Sequence, residues 1–246
     1  MFDLIRSRSH GELGRQAADL AARAISRAHE EGRVARVLLA AAPSQLPVLQ
    51  ALADLDIHDR PVRYFHMDEY VGLAPEAPQA FGTWLENNYF VWLPERHQAT
   101  FERIPTSGTP TEVAAAYAAN LPEGDFDLVL CGIGINGHLA FNDPGCDLDE
   151  PEPVRHIELA EASRRQQVDE GPFDALADVP EFAITLTVPR ILASRTIVCS
   201  VLGAAKAEAL QGLIERPITN ELPATALKKH SDVTVLADEA ALSHVD

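Results

Sequence analysis

The stretch FDLVLCGIGINGHLAFNDPG, residues 126–145, decides the reading of this chain. Its first part, FDLVLCGIG (126–134), is the strongest strand pattern in the sequence. A strand buried on both faces of a parallel sheet shows a nearly continuous apolar run of this kind. The run then breaks into glycines and polar side chains: Asn136, His138, Asn142 and Asp143, followed by Pro144 and Gly145. In open parallel sheets ligands sit beyond the carboxyl ends of the strands, where such loops lie.

Apolar runs alternate with helical patterns on both sides. Residues 10–31 have apolar residues at helical spacing and many alanines, which favours a helix. RVLLAAA (36–42) suits a buried strand. Ser44 is placed to cap the next helix, QLPVLQALADL, with Pro47 in its first turn. PVRYFHMDEY (61–70) is a second strand ending in acids, and helical stretches follow around 80–93 and 111–120. Further strands are expected at FAITLT (182–187), TIVCSVL (196–202) and DVTVLAD (232–238), with a helix AAKAEALQGLIE (204–215) between the last two. This alternation predicts an α/β chain of three layers, α/β/α and Rossmann-like, with helices covering both faces of a mostly parallel sheet. Without internal repeat or clear linker, residues 1–246 are expected to form a single domain.

Composition narrows the function classes. Apolar residues make up 46% and charged residues 23%, enough for a well-buried core and against a mostly disordered chain. The formal net charge of −17 repels nucleic acid and anionic lipid, so neither is an expected partner. A small anionic ligand would need a local positive pocket. Cys131, Cys146 and Cys199 are odd in number and have no CxxC spacing, which argues against a disulfide framework. The start, MFDLIRSRSHGELG, lacks the apolar core of a signal peptide, and no apolar run approaches a membrane span. A cytoplasmic protein is expected.

Three strand ends hold chemistry-bearing residues. GIGING (132–137) matches G-x-G-x-x-G, but a dinucleotide turn opens into a helix, and the Asn-Asp-Pro-Gly sequence that follows would stop one. The glycines fit better as a tight fold or a close approach of backbone to ligand. In NGHLAFND (136–143), an imidazole among amides and a carboxylate is a common acid–base device. In HMDEY (66–70), Asp68 and Glu69 are adjacent, so only one of them easily faces a given site. A partly desolvated carboxylate there could move a proton beside a carbonyl. His66 and Asp68 lack a third ligand at metal-binding spacing, so no metal is expected, nor any other cofactor. AAAPSQ (40–45) offers N–H groups and the Ser44 hydroxyl to a phosphate, with Lys206 in the first turn of another helix as the cation. Arg164 and Arg165, in EASRRQQV, are two further cations on this acidic chain.

Taken together, FHMDEYVGL (65–73), GIGINGHLAFNDPG (132–145), VPEFAITLT (179–187) and LGAAKAEAL (202–210) resemble the glucosamine-6-phosphate deaminase/isomerase family, which is related to the 6-phosphogluconolactonases. The resemblance runs from about residue 10 to 240. It implies an aldose–ketose isomerisation coupled to loss of ammonia, glucosamine 6-phosphate becoming fructose 6-phosphate. It also implies a place in amino-sugar metabolism, in the broad class of hydrolases. By position, Asp68 matches the carboxylate that moves a proton between C2 and C1, and His138 the histidine that helps open the sugar ring. Asn136 and Asp143 complete the catalytic set around His138. Lys206, Ser44 and Ala42 fall on the phosphate side, as does an arginine matched by Arg164 in preference to Arg165. The chain departs from the family's best-known pattern where Asn136 replaces Asp, Asp143 replaces Glu, and AAAPSQ replaces a glycine- and threonine-rich loop. The three changes together mark a variant subgroup. By analogy with the family a homo-oligomer is expected. The rival readings are a lactonase or plain isomerase acting on a related sugar phosphate, and a non-catalytic sugar-phosphate sensor.

Overall fold

The computed structural model describes residues 2–55, 57, 60–94, 98–159, 161, 164, 165, 168 and 173–245. Seven strands form one parallel sheet: β1 (Asp3–Ser7), β2 (Ala35–Leu39), β3 (Val62–His66), β5 (Ala99–Glu102), β6 (Leu128–Cys131), β9 (Ile197–Val201) and β10 (Val233–Asp238). Their order is β1-β10-β9-β6-β2-β3-β5. The remaining three, β4 (Asp68–Val71), β7 (Val154–Glu158) and β8 (Phe182–Leu186), make a small antiparallel sheet in the order β4-β8-β7.

The strands of the large sheet sort their side chains by parity. Val37 and Leu39 of β2 join one apolar cluster and Leu38 the other, and Leu128/Leu130 against Val129/Cys131 divide in the same way on β6. A period of two with both faces apolar is the mark of a sheet covered on both sides. One cover is α1 (His10–Glu30), α2 (Leu46–Ala53) and α3 (Phe81–Asn88); the other is α4 (Pro110–Asn120), α5 (Val188–Leu192) and α6 (Ala207–Glu215). Helix α1 begins at Ser9, whose hydroxyl accepts the Glu12 N–H at 3.1 Å, and buries Leu13, Ala17, Ala21, Ala24, Ile25 and Ala28 along one stripe. Gly14 lets α1 meet α2 closely, because a Cβ there would collide with the Pro47 carbonyl.

The observed elements differ from the sequence expectation in three respects. The strand expected over 61–70 is two strands in two sheets. The chain leaves the large sheet at Met67, whose N–H still reaches Leu39 O at 3.2 Å while its carbonyl accepts from Leu186 N at 2.8 Å. Strands β1, β5 and β7 were not anticipated. Ser44 makes no capping bond either: Pro43–Gln45 is a 3-10 turn entered from Ala42, and α2 starts at Leu46. Cys131, Cys146 and Cys199 are free and buried. Among the described residues no helix is long and apolar enough to cross a membrane.

Candidate active site

From β2 the chain winds one way, through β3 to β5, then returns to place β6 on the other side of β2. Such a reversal opens a crevice at the carboxyl ends of the two strands. A cavity of about 200 Å³ lies there, lined by Ala40–Ala42 and Ser44 after β2, Met67 and Asp68 after β3, Gly132–Gly134 and His138 after β6, and Lys206 after β9.

Asp68 and Glu69 take opposite sides, as alternation on a strand requires. Asp68 faces the cavity. Burial, then the like charge of Glu69, pushes its carboxyl up to about 8. Glu69 is fully buried on the other side and accepts the N–H groups of Tyr70, Phe81 and Gly82 at 2.9, 3.0 and 2.8 Å. It therefore satisfies the start of α3 and is occupied with structure. His66 is also spent on structure: its Nε2 accepts the Ile104 N–H at 2.7 Å, and burial drives the imidazole down to about 3. Among the described residues no cluster of His, Cys, Asp or Glu is arranged to hold a metal.

After β6 the chain enters turns in place of a helix, which removes the dinucleotide reading of GIGING. Gly134 N–H bonds His138 O at 2.9 Å and Gly137 N–H bonds Gly134 O at 3.0 Å, folding the loop back on itself. Gly137 has φ +78, and a Cβ at Gly134 would run into the His138 ring, so both glycines are required by the turn. Asn136 Oδ1 accepts from the His138 backbone N–H at 3.1 Å and lies 2.8 Å from His138 Nδ1. An amide oxygen only accepts, so Nδ1 carries the proton and Nε2 is the basic nitrogen. Asn136 Nδ2 in turn donates to Asp143 Oδ1 at 3.2 Å, and Asp143 lies 3.5 Å from His138 Nδ1. The His138 ring and the Asn136 amide hold the Asp143 carboxyl below its ordinary range. The carboxylate is thus handed to the histidine mainly through an amide, and Asp143 reaches its partners despite its short side chain.

Lys206 closes a 3-10 turn, Ala204–Lys206, and so stands just before α6, not inside its first turn. The turn is launched from Gly203 at φ +88, whose N–H bonds Asp238 at 3.0 Å. Ser44 and Ala42 share the cavity with it. Arg164 is elsewhere: its guanidinium donates to Leu176 O and Val179 O at 3.0 and 2.8 Å and lies 3.6 Å from Glu181. It is not among the described residues lining the cavity. Arg165 pairs with Glu161 at 2.9 Å. The sequence reading passed over Tyr70, Phe81 and Phe141, which form an aromatic wall of the cavity with ring centroids 5.0 to 5.8 Å apart. Tyr70 and Phe141 lie inside the quoted motifs, so position beside Asp68 and His138 was the available signal.

The family model for glucosamine-6-phosphate isomerases and 6-phosphogluconolactonase matches residues 8–236. A glucosamine-6-phosphate deaminase of Lactobacillus delbrueckii subsp. bulgaricus is 34% identical over 243 residues, covering 98% of both chains. One from Exiguobacterium sibiricum is 34% identical over 215 residues, covering 87% of this chain and 82% of its own. Among solved structures, a monomeric glucosamine-6-phosphate deaminase of the NagB superfamily superposes with a TM-score of 0.88 at 27% identity, over 99% of this chain and all of the other. A 6-phosphogluconolactonase from Shewanella baltica superposes at 0.77 over 97% and 98% of the two chains, but at 20% identity it shows the fold alone. The broad label of hydrolase therefore falls: the full-length relatives carry a deaminase name, and the likeness to the solved lactone hydrolase speaks for the fold and not for its activity. With the match spanning nearly every element described above, the chain belongs to the glucosamine-6-phosphate isomerase/6-phosphogluconolactonase family.

Proposed function

We propose that this chain converts glucosamine 6-phosphate to fructose 6-phosphate and ammonia, acting as one domain on a free sugar phosphate. The observation that carries the reading is the meeting of Asp68, His138 and Lys206 around one cavity at the switch point of the sheet. The deaminase name of the full-length relatives supports the substrate.

Each residue type suits a step. Lys206, with Ser44 and the extended backbone at Ala42, holds the phosphate at the end of the sheet. His138, basic at Nε2, takes the ring hydroxyl proton and returns it to the ring oxygen, giving the open-chain aldehyde. Asp68, as carboxylate, takes the proton from C2 and delivers it to C1. The nitrogen passes one proton to the C1 oxygen, so the aldose amine becomes a ketose imine with a C1 hydroxyl; water then adds at C2, supplying the keto oxygen as the nitrogen leaves as ammonia. A carboxyl held near 8 is both a stronger base than an ordinary aspartate and an acid able to return its proton near neutrality. The proposal leaves Arg164 in a structural role, held by the Leu176 and Val179 carbonyls.

A coupled assay that follows both ammonia and fructose 6-phosphate tests this. Equal formation of the two supports deamination. Ketose without ammonia means a plain isomerase, acid release from a phosphogluconolactone means a lactonase, and tight binding without any turnover means a sensor. The expected homo-oligomer stands against a solved deaminase described as monomeric, and a light-scattering mass near 26.7 kDa or a multiple of it decides the point.

A further inference from the structure

We propose that Thr185, with Asn142, is a positioning residue that fixes the histidine loop against the strand carrying Asp68; the inference rests on the proposed reaction. The two halves of the site come from different sheets. His138 follows β6 of the large sheet, whereas Asp68 opens β4 of the small one. The large sheet brings the ends of β3 and β6 together on either side of β2, and the small sheet adds a second, direct tie between the histidine loop and the strand beside Asp68.

Thr185 is the clamp in that tie. It is paired with Asp68 across the antiparallel β4–β8 ladder. Directly opposed residues on neighbouring strands project to the same face, with Cβ atoms about 4.5–5.5 Å apart. Thr185 Oγ1 is completely buried and accepts the Phe141 N–H at 3.2 Å, while donating to Leu186 O at 3.0 Å. Asn142 completes the join: its Nδ2 donates to Leu186 O and to Leu139 O, both at 2.8 Å, and lies 3.5 Å from Thr185 Oγ1. The backbone of Leu186 also bonds Met67 O at 2.8 Å, beside Asp68. A single buried network therefore ties residues 139–142 to the strand facing Asp68.

The loop also carries strain that the network holds in place. Leu139 and Asn142 bond one another's backbones at 2.9 and 3.4 Å, and between them Ala140 adopts φ +52. A non-glycine residue in this region persists only where its surroundings over-determine it. Ala140 and Phe141 both line the cavity, so relaxation of this turn would move the wall and His138 together.

The test uses the full chain with Thr185→Val, which keeps shape and strand propensity but removes the hydroxyl, and with Thr185→Ser, which restores it. Two readouts are taken. Hydrogen exchange at the Phe141 and Asn142 amides needs no substrate; Thr185→Val should speed it by about fivefold to tenfold, the effect of losing one hydrogen bond, and Thr185→Ser should stay near wild type. Steady-state kinetics on glucosamine 6-phosphate, per folded enzyme, should show kcat down by about tenfold to hundredfold in Thr185→Val, with KM held because the phosphate grip is untouched. Thr185→Ala serves as a second hydroxyl deletion should the valine variant fold poorly. Unchanged exchange in both deletions, a serine variant as impaired as the valine one, or faster exchange with full kcat would each overturn the proposal. Absence of turnover in the wild type would instead remove the proposed reaction and leave the exchange result to decide the clamp.

Discussion

Replacing Asp68 by Asn should make the protein more stable and almost inactive, and the two effects have one cause. Asp68 is pushed up to about 8 in the folded chain, against an ordinary value of 3.8. An acid whose pKa rises on folding contributes most favourably below its unfolded value, and that contribution is lost as pH climbs from about 4 to about 8. At pH 7 the loss spans roughly three pH units, or about 4 kcal/mol at 1.4 kcal/mol per unit. One flank of the carboxyl opens on the cavity, and water there lowers the figure, so about 1–3 kcal/mol is expected. Asn keeps the shape and a neutral head, and so escapes the penalty. In a chain of this size each kcal/mol moves the melting temperature by about 2–4 °C. Melting curves of wild type and Asp68→Asn at pH 5, 6, 7 and 8 should diverge as pH rises, with the variant the more stable. Ammonia release by the variant should fall by about 10²–10⁴, the usual worth of a general base. Parallel pH dependences of the two melting curves would show that the carboxyl is not held in its neutral form. Retained turnover would show that it is not the proton carrier.

Lys206→Ala should weaken competition by inorganic phosphate and raise KM by about tenfold to hundredfold, the effect of a lost charge-assisted contact of 1.5–3 kcal/mol; unchanged KM would place the phosphate elsewhere. Asn136→Asp puts a second carboxylate beside the His138 ring in place of the present 2.8 Å amide contact, which favours the protonated imidazole and should move the pH optimum of turnover upward; a static optimum would mean that the ring does not titrate in the rate-limiting step. Gly134→Ala drives a Cβ into the His138 ring and should lower kcat by about tenfold or more through misplacement, read against an unchanged far-ultraviolet spectrum. Full activity there would show that His138 works from another rotamer.

How far the sequence carried depended on what each residue does. The long apolar runs at 126–131 and 196–201 are strands buried on both faces, and their composition alone announces them. Strand β5 is only four residues, Ala99–Glu102, at the edge of the sheet, and β1 sits at the other edge; such strands need few apolar residues and leave little trace. The break at Met67 was invisible because both β3 and β4 favour extended backbone, and only pairing with β8 separates them. Asp68, His138 and Lys206 were legible because strand ends plus reactive side chains form a pattern. Parity said only that Asp68 and Glu69 face opposite ways; the family resemblance pointed to Asp68, and Asp68 is the one that lines the cavity. Thr185 was illegible: a threonine in a strand is ordinary until its register partner is known.

The departure of the chain from its main sheet at Met67 has a consequence for how such a protein can change over time. The phosphate-side residues Ser44 and Lys206 follow strands of the large sheet, whereas Asp68 opens the small three-stranded sheet, which packs into the main core through Val71, Val154, Ile184 and Leu186. Mutations in the small sheet can shift the surroundings of Asp68 while Ser44, His138 and Lys206 stay on loops of the large sheet. That division of labour makes the scaffold modular in the evolutionary sense.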